Sequence, residues 1–221
     1  MKPKKKIDEL IVLIRGGGEV ASGVAHRLYQ AHFKITMTEI SHPLAVRREV
    51  AFSEAIYDGE KEVEGVRAKL ISKPEEIESL WKKGDIPILI DPDGKKTRTS
   101  LKPDVLVDAI MAKRNLGTQI QDAPLVIGLG PGFTAGDNVH IVIETNRGHG
   151  LGKMILDGPA EPDTGIPGEI GGYTMERVLR TMKKGIFHPQ KSIGDRVNEG
   201  TVVAVADDFP IIAKISGILR G

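Results

Sequence analysis

The chain has 221 residues, and its 31 Lys and Arg nearly balance its 30 Asp and Glu, which gives a formal net charge of +1 at pH 7. That balance leaves no basic field to attract nucleic acid or a membrane surface, and the sequence favours neither as a partner. The absence of cysteine excludes disulfides, cysteine-bound metals and thiol nucleophiles. No apolar run reaches the roughly 18 residues of a membrane span, so we expect a cytoplasmic protein without a membrane or signal segment.

A strand, a glycine turn and a helix follow one another near the start of the chain. Residues 10–14 are apolar, and a helical pattern covers 19–31. Gly16, Gly18 and Ala21 fit the spacing G-x-G-x-x-[GA], in which small residues permit a tight turn, close approach of a pyrophosphate and close packing of the helix on the strand. The pattern predicts a nucleotide site. The alternative, that these residues only let the helix pack on the sheet, stays open.

The next strand-like run, residues 35–39, ends on Glu39. An acid at the end of the second strand accepts hydrogen bonds from ribose hydroxyls in dinucleotide-binding sheets. Arg47 and Arg48 follow soon after, and we expect them near the ribose or a second phosphate. A solvated surface acid and a surface ion pair worth little are the alternatives.

Composition divides the chain into three regions. Strand-like and helix-like segments alternate over 1–115, which is typical of a parallel sheet covered by helices. Glycine and proline become frequent over 116–182, and short strands with tight turns are expected over 183–221. The expected fold class is therefore α/β, with a Rossmann-like N-terminal sheet, a loop-rich mixed middle section and a β-rich C-terminal segment.

A charged segment follows the predicted strand at 105–110. It contains Lys113, Arg114 and Asn115, and it should leave the carboxyl edge of the sheet, where open α/β sheets bind ligands. The two cations are candidates to clamp a phosphate, and the asparagine adds neutral hydrogen bonds. A solvated basic turn is an equally good interpretation of the same residues.

Two further strands, at 125–129 and 139–144, flank a loop that contains Gly130 and Gly132. Such a loop offers backbone N–H groups and conformational freedom for an anion-binding nest. A hairpin-like connection that needs glycine for its turn geometry is an equally good interpretation. The histidines and acids of this section lack the spacing of a known metal motif, so we predict no metal site.

The last segment, 183–221, resembles half of a barrel-sandwich hybrid domain, the hammerhead-like fold of biotinyl and lipoyl carriers. The run Gly194-Asp195-Arg196-Val197 with Gly200 matches that pattern, and 217–219 echoes 185–187. The hairpin that presents the modified lysine in carriers corresponds to 207–210, which has no lysine, so covalent carriage of biotin or lipoate is not expected. An unfinished half-barrel exposes an open edge, and a truncated sequence is favoured over completion by another chain.

Six blocks in matching order resemble the selenium-dependent molybdenum hydroxylase system protein family, which are accessory proteins encoded with such hydroxylases. The similarity covers nearly the whole chain, although Glu19 stands where the family usually has aspartate. The blocks are Arg15–Gly23, Arg47–Ala55, Ala112–Thr118, Gly128–Gly136, Glu144–His149 and Thr164–Tyr173.

The resemblance implies a maturation role for a selenium-dependent molybdenum hydroxylase, with that enzyme and other maturation proteins as partners. The ligand would be a nucleotide or a molybdenum-pterin cofactor. The alternatives are an NAD(P)-dependent oxidoreductase and a non-catalytic adaptor. No catalytic residue is assigned, and both enzymatic activity and a homo-oligomer stay open. The predicted cofactor-binding residues are Gly16, Gly18, Ala21, Glu39, Arg47, Arg48, Lys113, Arg114, Asn115, Gly130 and Gly132.

Overall fold

A large, mostly parallel β-sheet organises the computed structural model, which describes residues 5–221. The chain divides into two compact units, one that ends at Pro162 and one that covers Asp163–Gly221. The region expected to form a separate middle section, 116–182, contributes residues to both units. The α/β class expected from the sequence is confirmed.

The first unit contains nine strands in one sheet and a separate two-stranded pair. The sheet order is β10-β9-β7-β6-β1-β2-β5-β4-β3, and β8 pairs with β11. The strands are β1 (Ile11–Arg15), β2 (Lys34–Glu39), β3 (Glu60–Val63), β4 (Val66–Ile71), β5 (Ile86–Ile90), β6 (Val105–Asp108), β7 (Leu125–Leu129), β8 (Thr134–Ala135), β9 (Ile141–Ile143), β10 (Met154–Ile155) and β11 (Gly158–Pro159).

Seven neighbouring strands, from β9 to β4 in the sheet order, are parallel, and an antiparallel strand closes each edge. Parallel strands need crossover segments, and helices supply several of them. The α-helices are α1 (Glu19–Gln30), α2 (Ala55–Asp58), α3 (Ile77–Lys83) and α4 (Lys95–Leu101). Single 3₁₀ turns lie at Ile7–Glu9, Arg48–Val50, Phe52–Glu54, Pro74–Glu76, Ile120–Asp122 and Met175–Arg177.

Apolar side chains from the central strands form the core of the first unit. Ile14, Met37 and Ile88 are completely buried, and so are Ala21 and Ala25 on the inner face of α1. The small alanine side chains let this helix lie close to the sheet. Among the described residues, no helix is long and apolar enough to cross a membrane.

The second unit is a small β structure. Strands β12 (Phe187–Pro189), β14 (Val202–Ala206) and β15 (Phe209–Ile212) form an antiparallel sheet, and β13 (Arg196–Val197) pairs with β16 (Gly217–Ile218). Its buried core consists of small or aliphatic side chains on these strands and the segments next to them. They are Val197, Val203, Ala204, Ala206, Ile211 and Ala213.

Candidate functional site

The strand order reverses between β1 and β6, which are parallel neighbours. From β1 the chain continues to β2 and β5 on one side, and it then returns to β6 on the other side. Open α/β sheets bind ligands outside the carboxyl ends of their strands at such a switch point. We call the ends of these parallel strands, with the loops that follow them, the carboxyl edge.

The glycine turn after β1 shows three different environments. Gly16 has φ +99°, and a Cβ there would lie 3.0 Å from the carbonyl oxygen of Ala109, so a side chain at Gly16 would collide with the β6 exit. Gly18 precedes α1, and a Cβ there would meet no atom within 4 Å. Ala21 is buried in the core. These environments match the roles of tight turn, open approach and helix packing that the fingerprint assigns to its three small residues.

Open space at Gly18 lies beside the start of α1, a twelve-residue helix. The first intrahelical hydrogen bond runs from the N–H of Ser22 to the carbonyl of Gly18, at 2.9 Å. The N–H groups of the preceding positions have no intrahelical acceptor, and they carry the positive end of the helix dipole. An anion can approach these donors without meeting a side chain at position 18.

Glu39 supports the glycine turn directly. Its carboxylate accepts the N–H of Gly17 at 2.7 Å and the N–H of Ile40 at 2.8 Å. A carboxylate offers about four acceptor positions, so two remain for other donors. The residue predicted to contact a ribose therefore also holds the turn in place.

The segment after β2 packs against the same turn. Ser53 donates its N–H to the carbonyl of Gly17 at 2.8 Å, and the N–H of Phe52 bonds to the Ser22 hydroxyl at 2.7 Å. The side chain of Phe52 is completely buried. The strand-exit segment therefore fixes one wall of the glycine turn.

The two arginines of that segment differ in their surroundings. Arg48 pairs with the buried Glu54 at 2.6 Å, and the hydrogen bond to that carboxylate raises the pKa of Arg48 above its ordinary value. Arg47 is half-buried. Arg48 is therefore paired within its own segment, and none of its hydrogen bonds in the described residues reaches the glycine turn.

A buried ion pair lies beneath the carboxyl edge. The guanidinium of Arg15 bonds to the Asp108 carboxylate at 3.0 Å and to the Thr118 hydroxyl, which itself bonds to Asp108 at 2.6 Å. All three side chains are at most 4% exposed. The pair joins the ends of β1 and β6 to the segment around Thr118. Sequence reasoning missed it, although each charge ends an apolar run.

The loop after β6 carries the predicted basic residues. Lys113 and Arg114 are exposed, and Lys113 has φ +62°, as does Met111. Asn115 has a local structural role, because its side-chain oxygen accepts the N–H groups of Gly117 and Thr118, each at 2.8 Å. The asparagine therefore shapes the loop that presents the two cations.

The loop after β7 is packed against the loops on both sides of it. A Cβ on Gly132, where φ is +106°, would lie 2.5 Å from the Cα of Arg114. A Cβ on Gly130 would overlap the hydroxyl of Thr145. Because β7 and β9 are parallel, the loop is a crossover segment and not a hairpin. The positive φ values and the close contacts do agree with the other part of that alternative, a local structural requirement for glycine.

Glu144 organises the loop after β9. Its carboxylate accepts three backbone N–H groups, those of Thr145, Asn146 and Glu161, each at 2.7 Å. Burial alone raises the pKa of Glu144, but the three N–H donors and the charge of Lys113 together hold it below its ordinary value. The group is therefore a fixed anion that anchors its loop. Within residues 5–221, no cluster of three or more His, Asp or Glu has the arrangement of a metal site.

The chain is 48% identical over 221 residues to a protein of Escherichia coli (strain K12) named "Uncharacterized protein YqeB". The alignment covers 100% of this chain and 41% of that protein, so the chain spans less than half of the length of this curated relative. No family model and no solved structure matches the chain. The name of the relative states no activity.

Proposed function

We propose that the chain binds a nucleotide, or the nucleotide part of a molybdenum-pterin cofactor, at the glycine turn. In this proposal it serves as an accessory protein in the maturation of a selenium-dependent molybdenum hydroxylase. The single observation that carries the nucleotide site is the contrast within the turn at the β1–β6 switch point. Gly16 and Ala21 are packed against protein, whereas the position of a Cβ on Gly18 is open. The maturation role is supported by the family resemblance of the sequence blocks.

The proposal includes a finer description of the fold. The five central strands β5-β2-β1-β6-β7 have the neighbour relations of a Rossmann-like nucleotide-binding sheet, which supports this description of the first unit. The chain departs from that pattern in the β3–β4 hairpin, which lies between β2 and β5 in the sequence. The hairpins over 187–218 support a partial barrel-sandwich hybrid in the second unit. The hydroxylase and other maturation proteins are the proposed partners, and the cytoplasmic location stays a prediction.

Two groups at the glycine turn have proposed roles toward the ligand, the start of α1 and Glu39. A phosphate accepts hydrogen bonds from the N–H groups at the start of α1, where Gly18 leaves room for it. Glu39 accepts hydrogen bonds from the ribose hydroxyls with its remaining lone pairs. A 2′-phosphate would meet the same carboxylate and be repelled, so we expect ADP to bind at least about tenfold more tightly than adenosine 2′,5′-bisphosphate.

A matched pair of glycine variants tests the site. Gly18 and Gly23 both leave an added Cβ without any neighbour within 4 Å, but Gly23 lies on the exposed surface of α1. We expect Gly18→Ala to weaken ADP binding by about tenfold, because the methyl group fills the path of the phosphate. Gly23→Ala should leave the affinity unchanged. Isothermal titration calorimetry measures both, and equal affinities for the two variants would remove the glycine-turn site.

Glu39 favours a second candidate, an NAD(P)-dependent oxidoreductase, because an acid at the end of the second strand also suits the ribose of a dinucleotide. Native mass spectrometry of protein purified anaerobically from a host that makes molybdenum cofactor separates the two. A retained pterin adduct supports the maturation role, whereas retained NAD and an absorbance change with turnover support the oxidoreductase. A non-catalytic adaptor predicts that binding of the hydroxylase survives Gly18→Ala.

A further inference from the structure

The loops after β6, β7 and β9 form one continuous wall at the carboxyl edge. Gly132 lies against the backbone of Arg114, and Gly130 lies against Thr145. The N–H of Gly130 also bonds to the carbonyl of Ile143 at 2.9 Å. Residues that are distant in the sequence are therefore held together where three parallel strands end. We call this surface the loop wall.

The exposed charges of the loop wall are mainly positive. Lys113, Arg114 and Arg147 are exposed, and none of the salt bridges found in the described chain includes either arginine. The acids beside them already have donors. Glu144 accepts three backbone N–H groups, and Glu161 accepts the side-chain amide of Asn146 at 2.5 Å.

Backbone conformation supports a binding role for this wall. Met111 and Lys113 both have φ +62°, a region that non-glycine residues rarely occupy. Such a conformation costs about 1 kcal/mol or more per residue, and it persists where the surroundings impose it, often at ligand-binding sites. Here this conformation occurs in the loop that carries the consecutive cations Lys113 and Arg114 and that contacts Gly132.

We propose that the loop wall binds a phosphate group through Lys113, Arg114 and Arg147. Arginine suits this ligand because its planar guanidinium donates two parallel hydrogen bonds to phosphate oxygens. We also propose that the phosphate belongs to the same ligand whose nucleotide lies at the glycine turn, and this part rests on the proposed function. The ligand class is then an extended one, with a nucleotide at one end and a second phosphate beyond it.

The charge at the glycine turn favours a separate site for the second phosphate. Glu19 lies in the first turn of α1, so a phosphate there approaches a helix start that also carries a carboxylate. On the loop wall, Arg114 and Arg147 lie outside every salt bridge of the described chain, and Lys113 adds its charge beside the Glu144 carboxylate. A second phosphate therefore finds its countercharge at the loop wall.

Titration of the full chain with inorganic pyrophosphate, followed by the backbone amide signals in NMR spectra, tests the subsite. We expect shifts at Arg114, Gly130 and Gly132, and weaker binding as salt is added. Arg114→Gln and Arg147→Gln should each weaken pyrophosphate binding by about fivefold, because each removes one charged donor. Arg27→Gln, an exposed arginine near the other end of α1, is the matched control and should change nothing.

Two results would overturn the subsite. One is equal pyrophosphate affinity for the three arginine variants, and the other is a set of shifts confined to Gly18 and the start of α1. A parallel titration with ADP tests the glycine turn separately, through Gly18→Ala. If ADP does not bind but pyrophosphate depends on the loop-wall arginines, the proposed function fails and the subsite stands. If ADP binds and the Arg114 and Arg147 variants behave like Arg27→Gln, the subsite fails and the proposed function stands.

Discussion

Two glycine-rich loops leave the sheet at its carboxyl edge, and their glycines face different neighbours. In the turn after β1, Gly18 has no atom within 4 Å of the position of a Cβ. In the loop after β7, the same position at Gly130 or Gly132 is filled by protein, from Thr145 and Arg114. Similar composition thus serves two purposes. The glycines after β7 let neighbouring loops pack closely, whereas Gly18 leaves the approach to the start of α1 open.

Carboxylates support two of the strand exits. Glu39 accepts backbone N–H groups at the turn after β1, and Glu144 accepts backbone N–H groups of the loop after β9. The loop after β7 is supported by that neighbour, because Gly130 packs against Thr145. Charged acceptors of this kind form stronger hydrogen bonds than neutral ones do. Both loops are therefore fixed by protein, and what separates them is the space beside Gly18.

Removal of the buried ion pair at the ends of β1 and β6 should have the largest effect. Asp108→Ala leaves Arg15 as a buried charge without its carboxylate, which we expect to lower the free energy of unfolding by about 4 kcal/mol. Urea unfolding followed by the fluorescence of Trp81, the single tryptophan, measures the change. The control Arg15→Met with Asp108→Leu replaces the pair by apolar side chains and should recover much of the loss. An unchanged unfolding midpoint for Asp108→Ala would show that the pair does not hold the edge together.

Gly132→Ala should have the next largest effect. The methyl group would lie 2.5 Å from the Cα of Arg114, and φ is +106°, so both the contact and the backbone conformation oppose the change. We expect a loss of about 3 kcal/mol in the free energy of unfolding. The same urea experiment measures it. A loss below about 0.5 kcal/mol would mean that the backbone near Arg114 can move to accommodate the methyl group, and the contrast with Gly18 would disappear.

The anchor of the loop wall should make stability depend on pH. The pKa of Glu144 is lowered in the folded state from an ordinary value of 4.5, so its contribution is present above that value and is lost as the pH falls through the folded pKa. We expect Glu144→Gln to lower the free energy of unfolding by about 2 kcal/mol at pH 7. Urea midpoints of the wild type and the variant should converge in acid. A constant difference between about pH 7 and about pH 3 would contradict the role of the charge.

The sequence predicts the central sheet well and the carboxyl edge only in part. An apolar run, small residues and a helical pattern are local signals, and they predict the glycine turn and the helix after it. The hairpin of β3 and β4 gives no such signal, because its alternating charges resemble a solvated surface. The pair of Arg15 and Asp108 gives no local signal either, since its members are 93 residues apart and charges are usually read as exposed.

The difference between Gly18 and Gly132 could not have been predicted from sequence for a related reason. Backbone atoms of Arg114 lie next to Gly132, whereas no other part of the chain passes within 4 Å of a Cβ at Gly18. Both facts depend on which strands are neighbours, which local patterns do not specify. The sequence can therefore predict that another group approaches a glycine closely. Whether that group is part of the protein depends on the topology.

The smallest effect on stability is expected at Gly18. A serine there meets no atom within 4 Å of its Cβ, and φ is −66°, which any residue adopts. Because serine is also a favourable N-cap, we expect Gly18→Ser to change the free energy of unfolding by less than about 0.5 kcal/mol. The urea midpoint compared with that of Gly132→Ala measures the contrast. A loss near that of Gly132→Ala would mean that protein occupies the space beside Gly18, and the argument for a ligand there would fail with it.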